Sequence, residues 1–534
     1  MKHATLGMTV AAFGMTTMSY AATWTVGPGA AYDFPLIQQA ITAATPGDTI
    51  EVYPSTYFEN LDLLGKDLHI RANAGIGTVT VDGGGAGPVV SCISGETSAT
   101  LLESLVFTNG NSPNGGGLLA DNTSPSVREC HFIRNQATSG GGASLFKSKT
   151  IFEKCLFDSN VARARGGHIN AHMSKPSLVD SSLVRGQAGM GFLAGFGGAI
   201  HGSKTDLHVE RCLIAENQST RAGGGSYYKS SRVFMIDTDI DRNQSHDGGG
   251  IFSSDTDLHL THVRTLDNDA WNNGGGMYHQ GRGNVLVELC DIINNRAVRD
   301  GAGMLVRKRL GVHEVIGTTM DSNFAGSFGG GICYYNINVA RVMGGTRLVN
   351  NIAMNGGGIF ARTRNLLEIQ DTKLEANQAQ QDGGGFYCMQ TTSQLDRVVF
   401  NQNLAGVNGG GMKVEMGTAS CTDLEFYGNS AIDFGGASYG TNLATMRFET
   451  SVFEENLAGD GAAIHNEVNS RVAVNNCKIR SNQAWSSATA GGGLTTDFSS
   501  FSEVGNSLLC GNSAVNVSGL YMDLGGNTFA ASCP

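Results

Sequence analysis

The sequence predicts an all-β fold, a single right-handed parallel β-helix of about sixteen coils with an N-terminal capping helix. Two marks that recur in step, and a strand-like alternation before the second of them, support this prediction. Successive copies of a mark lie 25 to 31 residues apart. One coil of this length cannot bury its apolar side alone, so the coils are expected to stack and to pair their strands in parallel.

The first mark is a glycine triplet, or a near copy of it, followed by an apolar residue. Clear copies begin at Gly115, Gly166, Gly197, Gly248, Gly274, Gly301, Gly329, Gly356, Gly383, Gly409, Gly461 and Gly491. Glycine makes up 75 of the 534 residues, about twice its ordinary share. Because glycine accepts positive φ angles and close backbone approach, we expect a tight turn at each triplet.

The second mark is an asparagine, usually with alanine two positions later. It stands at Asn135, Asn160, Asn217, Asn243, Asn268, Asn295, Asn323, Asn351, Asn377, Asn403, Asn429, Asn456, Asn482 and Asn512. A large apolar residue precedes it by three positions and a small one by five, as Phe132 and Cys130 precede Asn135. Strand residues two apart point the same way, so both face the core. The asparagines are expected to stack and to bond the backbone of the turn.

The first residues have the features of a signal peptide, which we place at residues 1–21. A basic start at Lys2 and His3 precedes a short, mildly apolar segment that ends in small residues at Ser19 and Ala21. The chain is therefore expected to be exported, to the cell surface or beyond it, from a bacterium. No later run of about 18 apolar residues occurs, so no transmembrane segment is expected in the mature chain.

The remaining chain divides into three parts. Residues 22–100 form the N-terminal cap and first coils, 101–505 the β-helix repeats and 506–534 a C-terminal cap block. Phe34 to Ala44 carries apolar residues at helical spacing, and Pro35 suits the start of a helix. This helix is expected to cover the open end of the core.

These marks resemble the pectin lyase-like β-helix superfamily. The repeated glycine signal and the Phe-x-x-Asn signal, as at Phe400 to Asn403 and Phe426 to Asn429, resemble the repeats of chlamydial polymorphic outer membrane proteins. Those proteins carry a C-terminal outer-membrane barrel, whereas this sequence stops after the last coil. The resemblance implies the fold, and this fold serves lyases, hydrolases, adhesins and inert spacers alike.

Composition excludes several classes of protein. The chain has 47 acidic against 36 basic side chains and a formal charge of -11. This balance argues against a nucleic-acid partner. Proline is scarce at 9 residues, which excludes proline-rich disorder.

Seven of the 11 cysteines form two groups. Cys130, Cys155, Cys212, Cys290 and Cys477 share the small inward position and are interpreted as free thiols of the core. Cys510 and Cys533 flank the terminal block and are expected to form a disulfide. The sequence contains no CxxC or Cys/His cluster with ligand spacing, so no metal site is predicted.

Two patterns are candidates for catalysis or calcium binding. His168, His172, His201 and Lys204 lie in adjacent repeats just after glycine triplets, beside a longer loop near Gly186 to Gly195. Such a basic cluster suits the base of a polysaccharide lyase, while the alternative is a solvated rim. Asp239 would stack near Arg264 of the next coil, which favours ion pairing over calcium. Calcium is kept as an alternative, and no other cofactor is expected.

A more regular pattern is an aromatic column one residue beyond the inward apolar position. Its members are Tyr227, Phe252, Tyr278, Phe360, Tyr387 and Tyr439. Two residues on, the same face carries Lys229, Gln280, Arg307, Tyr335, Arg362 and Glu415. Aromatic rings with polar neighbours suit an extended sugar polymer. The alternative is that the rings reflect strand propensity and cross-strand packing alone.

The sequence therefore favours an exported, monomeric, non-enzymatic β-helix that binds polysaccharide or a cell-surface component through its aromatic column, as an adhesin would. The alternative is an extracellular polysaccharide lyase or glycoside hydrolase with its groove near His168 to Lys204. A third interpretation is a structural spacer without a ligand.

Overall fold

A computed structural model describes residues 21–190, 193–308, 310–363, 365–486 and 490–533. Its strands form a parallel β-solenoid of about 19 turns. In a typical coil, Leu118–Asp121 follows a glycine triplet, Ser126–Arg128 and His131–Ile133 follow a bend, and Gln136–Ser139 follows Asn135. We call the strands after the triplets face 1, the two-segment strands face 2 and the strands after the asparagines face 3.

Face 1 contains 18 strands. Their bounds are Leu61–Asp62, Val90–Cys92, Leu118–Asp121, Ala143–Phe146, Ile169–His172, Ile200–Ser203, Ser226–Lys229, Ile251–Ser254, Met277–Gly281, Met304–Lys308, Ile332–Tyr335, Ile359–Arg362, Phe386–Met389, Met412–Glu415, Ser438–Thr441, Ile464–Asn466, Gly491–Thr496 and Val515–Gly519. Neighbours pair in parallel and in register, so Ile359 lies between Ile332 and Phe386.

Faces 2 and 3 contain 37 and 15 strands. The first segments of face 2 are Thr23–Val26, Thr49–Val52, His69–Ala72, Leu101–Glu103, Ser126–Arg128, Ile151–Glu153, Ser177–Val179, Asp206–Glu210, Arg232–Ile236, Asp257–Thr261, Val285–Glu288, Val312–Ile316, Val339–Met343, Thr418–Thr422, Thr445–Glu449, Arg471–Asn475, Phe501–Gly505 and Tyr521–Asp523. Its second segments are Ser55–Phe58, Val79–Asp82, Val106–Thr108, His131–Ile133, Leu156–Asp158, Ser182–Val184, Leu213–Ala215, Asp239–Asp241, Arg264–Leu266, Asp291–Ile293, Thr319–Asp321, Arg347–Val349, Glu425–Tyr427, Val452–Glu454, Lys478–Arg480, Leu508–Cys510 and Thr528–Ala530. Leu366–Glu375 and Thr392–Asn401 run through both segments. Face 3 consists of Asn111–Asn114, Gln136–Ser139, Val161–Arg165, Gln187–Ala188, Gln218–Ser219, Gln244–Asp247, Asp269–Asn273, Arg296–Ala297, Phe324–Ala325, Ile352–Ala353, Gln378–Ala379, Leu404–Ala405, Ser430–Ala431, Leu457–Ala458 and Gln483–Ala484.

One hydrophobic core runs the length of the solenoid, from Val26 to Leu509. The residue three positions before each asparagine points into it, as the alternation predicted. Phe400 and Phe426 stack with ring centroids 4.6 Å apart and an interplanar angle of 3°. Such columns make each coil the packing partner of the next, so the core is continuous although no single coil has one.

The asparagines form the expected ladder. In each step the side-chain Oδ1 of one asparagine accepts two hydrogen bonds from the asparagine of the preceding coil. Asn323 Oδ1, for example, accepts from the backbone N–H of Asn295 at 3.0 Å and from its Nδ2 at 3.1 Å. The ladder is unbroken from Asn217 to Asn512. Buried turn groups thereby find partners without water.

The glycine triplet is required by both conformation and space. Gly356 has φ +63°, and a Cβ on Gly357 would lie 2.4 Å from the carbonyl oxygen of Gln378. Only glycine fits this close approach of successive coils.

The capping helix spans Ile37–Ala43 and buries Ile37, Ala40 and Ile41 against the first coils. The carboxylate of Glu59 accepts hydrogen bonds from two backbone N–H groups in the first turn of this helix, those of Ile37 and Gln38, each at 2.9 Å. The described residues contain no helix long and apolar enough to cross a membrane. Residues 1–20 of the predicted signal segment lie outside the described residues.

The solenoid has more turns than the sequence predicted, because coils can stack without the glycine mark. Thr23–Val26 pairs with Thr49–Val52, and this strand pairs with His69–Ala72. At the other end, Tyr521–Asp523 and Thr528–Ala530 pair with the coil before them. The terminal block is thus one further coil.

Cys510 and Cys533, the pair expected to bridge, are joined by a disulfide across 23 residues of sequence. The other nine cysteines are free and buried. Replacing Cys533 by serine is expected to lower the opening free energy of the last coil by about 3 kcal/mol, because the bond restricts the unfolded loop. Hydrogen exchange at Thr528–Ala530 measures this effect. Equal protection in the variant and the parent would contradict it, and exchange near Asn323 serves as the internal control.

Candidate functional site

The outer side of face 1 carries both candidate sets from the sequence. In the strand Ile359–Arg362, Ile359 and Ala361 belong to the main core, whereas Phe360 and Arg362 point away from it. Each strand of face 1 therefore presents two outward positions, the first of them the aromatic column.

The aromatic column points outward, as predicted, but its rings are covered. Phe252, Tyr278, Phe360 and Tyr387 join a second hydrophobic cluster, with exposed fractions between 2 and 6 %. Tyr439 is 4 % exposed, and only Tyr227 is partly open. Residues just before the glycine triplets, such as Phe196 and Phe328, pack against the cluster. The alternation along a strand predicts the direction of each side chain, but it does not predict that residues from other segments bury the rings.

The rings also cover one another. Tyr227 and Phe252 stack at 5.1 Å with an interplanar angle of 2°, and His201 stacks on the other side of Tyr227 at 5.3 Å. Phe252 and Tyr278 meet edge to face at 5.0 Å. The ring faces are thus already in contact with other rings, as expected if the column reflects cross-strand packing. Binding of a glycan by this column stays a prediction, and it would use the ring edges and the tyrosine hydroxyl groups rather than the ring faces.

A cleft of about 350 Å³ opens on the same face, in its N-terminal half. Its lining residues are Arg165, Asn170, His172, Phe196, His201, Ser203, Tyr227 and Lys229. A second depression of about 260 Å³ shares Arg165, Asn170 and His172 with it and continues toward the N-terminal end. Among the described residues, those that line the first cleft include the basic side chains Arg165, His172 and Lys229 and the titratable groups of His201 and Tyr227, but no carboxylate.

The structure separates the four basic candidates. His172 and His201 line the cleft together. Lys204 is exposed in the turn beyond the strand Ile200–Ser203 and does not line it. His168 is fully buried on the inner side.

Between Asn135 and Asn512, one coil lacks the asparagine of the ladder, and His168 takes its place. Gly186 stands at that position, between Asn160 and Asn217 of the adjacent coils. Its missing side chain leaves room for the imidazole, whose Nδ1 lies 3.0 Å from Asn160 Nδ2 and whose Nε2 lies 3.1 Å from Asn217 Oδ1. Burial lowers the pKa of His168 to about 4, so the ring is neutral. His168 is therefore a structural substitute and has no access to a ligand.

His201 is held as a neutral ring at the floor of the cleft. Its Nδ1 lies 2.9 Å from Asn170 Oδ1, and because an amide oxygen only accepts, Nδ1 carries the proton. Burial, helped by the charge of Arg165, lowers the pKa of His201 to about 3. Burial also raises the pKa of the neighbouring Tyr227 phenol. Both shifts move these groups away from titration near neutral pH.

Further cations follow on the same face. Arg307 lies 4.9 Å from the ring centre of Tyr335, and Arg362 lines a depression of about 230 Å³ with Tyr335, Thr363 and Gln390. We call Arg165, His172, Lys229, Arg307 and Arg362 the basic track. The sequence predicts Lys229, Arg307 and Arg362 on this face as polar neighbours of the aromatic column. It gives no such signal for Arg165, which precedes a triplet on face 3.

The cations of the basic track are unpaired. Within the described residues, none of the four charged members, Arg165, Lys229, Arg307 and Arg362, lies at ion-pair distance from a carboxylate. The carboxyl group of Asp300 lies near Arg307 but accepts its hydrogen bond from the Tyr335 hydroxyl group. On face 2, by contrast, Arg264 pairs with Asp239 at 2.7 Å, as the sequence indicated, and Arg341 pairs with Glu368 at 2.6 Å. Unpaired cations at a cleft are ready to bind an anion without first breaking an ion pair.

The C-terminal part of face 1 has the opposite character. The ammonium of Lys413 lies 2.8 Å from Asp382 Oδ2 and between the rings of Tyr387 and Tyr439, so its charge is neutralised. Tyr387 donates a hydrogen bond to Glu415, and Tyr439 donates one to Glu467. The carboxylates Asp382, Glu415, Glu467 and Asp460 leave this part of the face acidic.

No arrangement of three His, Cys, Asp or Glu side chains suited to a metal ion occurs in the described part of the chain. The alternative of calcium therefore has no ligand set among those side chains, and we derive no step from it.

No family model and no curated protein matches this chain. Among solved structures it is similar to an alginate lyase of the PL6 family named AlyGC, with 9 % sequence identity and a TM-score of 0.27, over 93 % of this chain and 98 % of that one. An arginine-to-alanine mutant of the same lyase gives 9 % identity and a TM-score of 0.23, over 92 % and 98 %.

Proposed function

We propose that this protein binds an acidic polysaccharide along the basic track and does not cleave it. The observation that carries this proposal is the row of unpaired cations on one face of a protein whose net charge is -11. On an acidic protein, cations left without carboxylate partners on one face create a local positive potential that attracts anionic ligands.

The arrangement favours a long ligand over a small one. The strands that carry His172 and Arg362 are separated by seven strand-to-strand steps. At roughly 4.8 Å per step, the track extends over about 34 Å. Only an extended polymer reaches all of its cations at once.

The chemistry of the cleft favours binding over catalysis. A general base works best with a pKa near the operating pH, whereas His201 has a pKa of about 3. The raised pKa of Tyr227 makes it a poor base as well. Both groups instead offer hydrogen bonds in fixed states, His201 through the lone pair of Nε2 and Tyr227 through its hydroxyl group.

A nucleic acid is a weaker fit than a polysaccharide. Proteins that bind single strands stack bases on open aromatic faces, and here the ring faces contact one another. The predicted signal segment supports a role outside the cell, at its surface or in the surrounding matrix, where acidic polysaccharides occur.

Affinity electrophoresis with polygalacturonate and with its methyl ester tests the proposal, because the two ligands share a backbone and differ in charge. We expect retardation by polygalacturonate, weaker retardation at high salt, and none by the ester. Equal retardation by the two ligands would contradict the proposal, and so would no retardation by either of them. Retardation by single-stranded DNA alone would contradict it as well. Alginate and a sulfated glycosaminoglycan in the same panel define the class of anion.

A polysaccharide lyase is the second candidate, because His172, His201, Tyr227 and Lys229 line one cleft. To test for lyase activity, the protein is incubated with the same polysaccharides, and new reducing ends and unsaturated uronates are measured. Their appearance would overturn the non-catalytic proposal.

A further inference from the structure

Asp300 is a buried carboxyl group that has a hydrogen-bond donor at only one of its two oxygens. It immediately precedes a glycine triplet and is 3 % exposed. Its Oδ2 accepts a hydrogen bond from the Tyr335 hydroxyl group at 3.2 Å. Its Oδ1 is also buried and, within the described part of the chain, has no hydrogen-bond partner. A buried carboxylate oxygen without a donor is unfavourable.

A second unpartnered acceptor lies on the coil before it. Asn273 also precedes a glycine triplet, and its Oδ1 is buried with no hydrogen-bond partner among the described residues. The Arg299 N–H donates to the Asn272 carbonyl at 2.8 Å. The Gly274 N–H donates to the Asp300 carbonyl at 2.9 Å, so Asn273 and Asp300 are held side by side. Two buried acceptor groups are thus neighbours in one column, and neither has a donor.

Reversing the Asn273 amide does not supply the missing donor. As placed, its Nδ2 donates to Asp247 Oδ1 at 3.2 Å, on the coil before it. Asp247 also accepts from Asn272 Nδ2 at 2.9 Å, and its Oδ2 lies 3.0 Å from His246 Nδ1. A reversed amide would turn its oxygen toward the Asp247 carboxylate and create a new pair of acceptors. The donor therefore has to come from Asp300 itself.

We infer that Asp300 carries a proton, which it donates to Asn273 Oδ1, and that this proton keeps Arg307 available to an anionic ligand. This inference rests on the proposed function and adds the regulation of its site. One proton supplies both unpartnered oxygens, because it turns Asp300 Oδ1 into a donor and gives Asn273 Oδ1 its partner.

Tyr335 connects Asp300 to the basic track. Its hydroxyl group donates to Asp300, and the guanidinium carbon of Arg307 lies 4.9 Å from its ring centre. A protonated Asp300 is neutral and leaves the charge of Arg307 uncompensated. When the proton is lost, a carboxylate near Arg307 weakens the attraction of this cation for a polyanion. Binding is therefore expected to weaken as the pH rises through the pKa of Asp300.

The surroundings of Asp300 favour the protonated form. Burial has the largest effect and raises the pKa of Asp300 above its ordinary value, whereas the Tyr335 hydroxyl group and the charges of Arg299 and Arg307 act in the opposite direction. Burial also raises the pKa of Tyr278 and of Cys333, so both stay neutral. The titratable and charged groups that face the carboxyl group are Arg299, Arg307, Tyr278, Cys333, Tyr335 and, beyond Asn273, Asp247.

Infrared difference spectroscopy of the full chain tests the protonation without any ligand, because the carbonyl stretch of a protonated carboxyl group lies apart from the bands of carboxylates and amides. The variant is Asp300→Asn, whose amide can donate to Asn273 as the protonated acid does. At about pH 6, where ordinary carboxyl groups with a pKa near 4 are ionised, we expect this band in the parent and not in the variant. Identical spectra would overturn the inference. Asn273→Ala should shift the band, because the hydroxyl group loses its acceptor, and an unshifted band would overturn the donation to Asn273.

Binding of polygalacturonate at about pH 6 and about pH 8 tests the regulation. Between these values we expect the Kd of the parent to rise about two- to five-fold more than that of Asp300→Asn. The other groups of the track, His172 included, are the same in both proteins and cancel in this comparison. Asp291→Asn is the matched control, since it removes one charge from a partly exposed position on face 2 and should follow the parent.

An equal change of Kd in the parent and in Asp300→Asn would overturn the regulation, and so would an equal effect of Asp291→Asn. No binding by any of these proteins would overturn the proposed function and the regulation with it. The infrared band would still decide whether Asp300 carries the proton.

Discussion

Replacing Asn323 by alanine is expected to lower the free energy of unfolding of the coils around it by about 4 kcal/mol or more. The Asn323 side chain donates to the Ile292 carbonyl at 2.8 Å and to Asn351 Oδ1 at 2.9 Å. It also accepts from the backbone N–H and Nδ2 of Asn295. Alanine therefore leaves buried polar groups unpaired on both neighbouring coils, and each costs about 1–3 kcal/mol.

Native-state hydrogen exchange at the Asn295 amide measures this loss, because a stacked solenoid opens locally rather than as a whole. Asn401→Ala is the matched control. Asn401 lies at the end of a face 2 strand, is partly exposed and donates to Glu375 at 3.0 Å, so its loss should cost less than about 1 kcal/mol. Similar exchange in the two variants would contradict the ladder as a main source of stability.

The pair His168 and Gly186 is expected to show strong coupling in a double-mutant cycle. His168→Gly removes the two hydrogen bonds that bridge the ladder and leaves a cavity, at a cost of about 3 kcal/mol. Gly186→Asn alone forces a side chain into the imidazole, since a Cβ there would lie 2.5 Å from His168 Nε2. The same Cβ would lie 2.5 Å from the carbonyl oxygen of Gly198, a strain that the single and the double variant share and that cancels in the coupling energy. In the double variant the new asparagine takes the place of the imidazole. We expect it to be more stable than the sum of the single changes by about 2 kcal/mol or more.

Urea unfolding of the four proteins measures the coupling, and additive effects would show that His168 is not part of the ladder. The pH dependence gives a second readout. The pKa of His168 falls from 6.5 to about 4 on folding, so between these values the unfolded chain holds a proton that the folded chain does not. Stability should therefore fall by up to about 3 kcal/mol as the pH drops from 6.5 to 4. The double variant should lose this contribution.

The sequence predicted the parts of the fold that repeat. The asparagine ladder and the phenylalanine column follow from spacing alone, because every coil must present the same groups to the next. It underestimated the number of turns, since residues such as Thr23–Val26 and Tyr521–Asp523 stack by strand pairing without either mark.

The candidate site was less accessible to such reasoning, for a physical reason in each case. His168 replaces the third glycine of a triplet, and its role is visible only beside Gly186, which lies 18 residues later in the chain. The burial of Phe360 depends on Phe328, a residue of the preceding coil. The ring centroids of these two residues lie 4.5 Å apart. Whether a cation such as Arg307 has an ion-pair partner depends on which side chains the neighbouring coils bring beside it, and the spacing of the repeats does not show this.

One titration tests the central claim most directly, the binding of polygalacturonate to a variant in which Arg165, Lys229, Arg307 and Arg362 are all alanine. The matched control removes four cations that pair with carboxylates on face 2, Arg128, Arg264, Arg341 and Arg480. Both variants have the same net charge. We predict that Kd rises by about 100-fold for the first, roughly 0.7 kcal/mol for each cation, and changes little for the control. An unchanged Kd for the first variant, or an equal loss in both, would contradict the account.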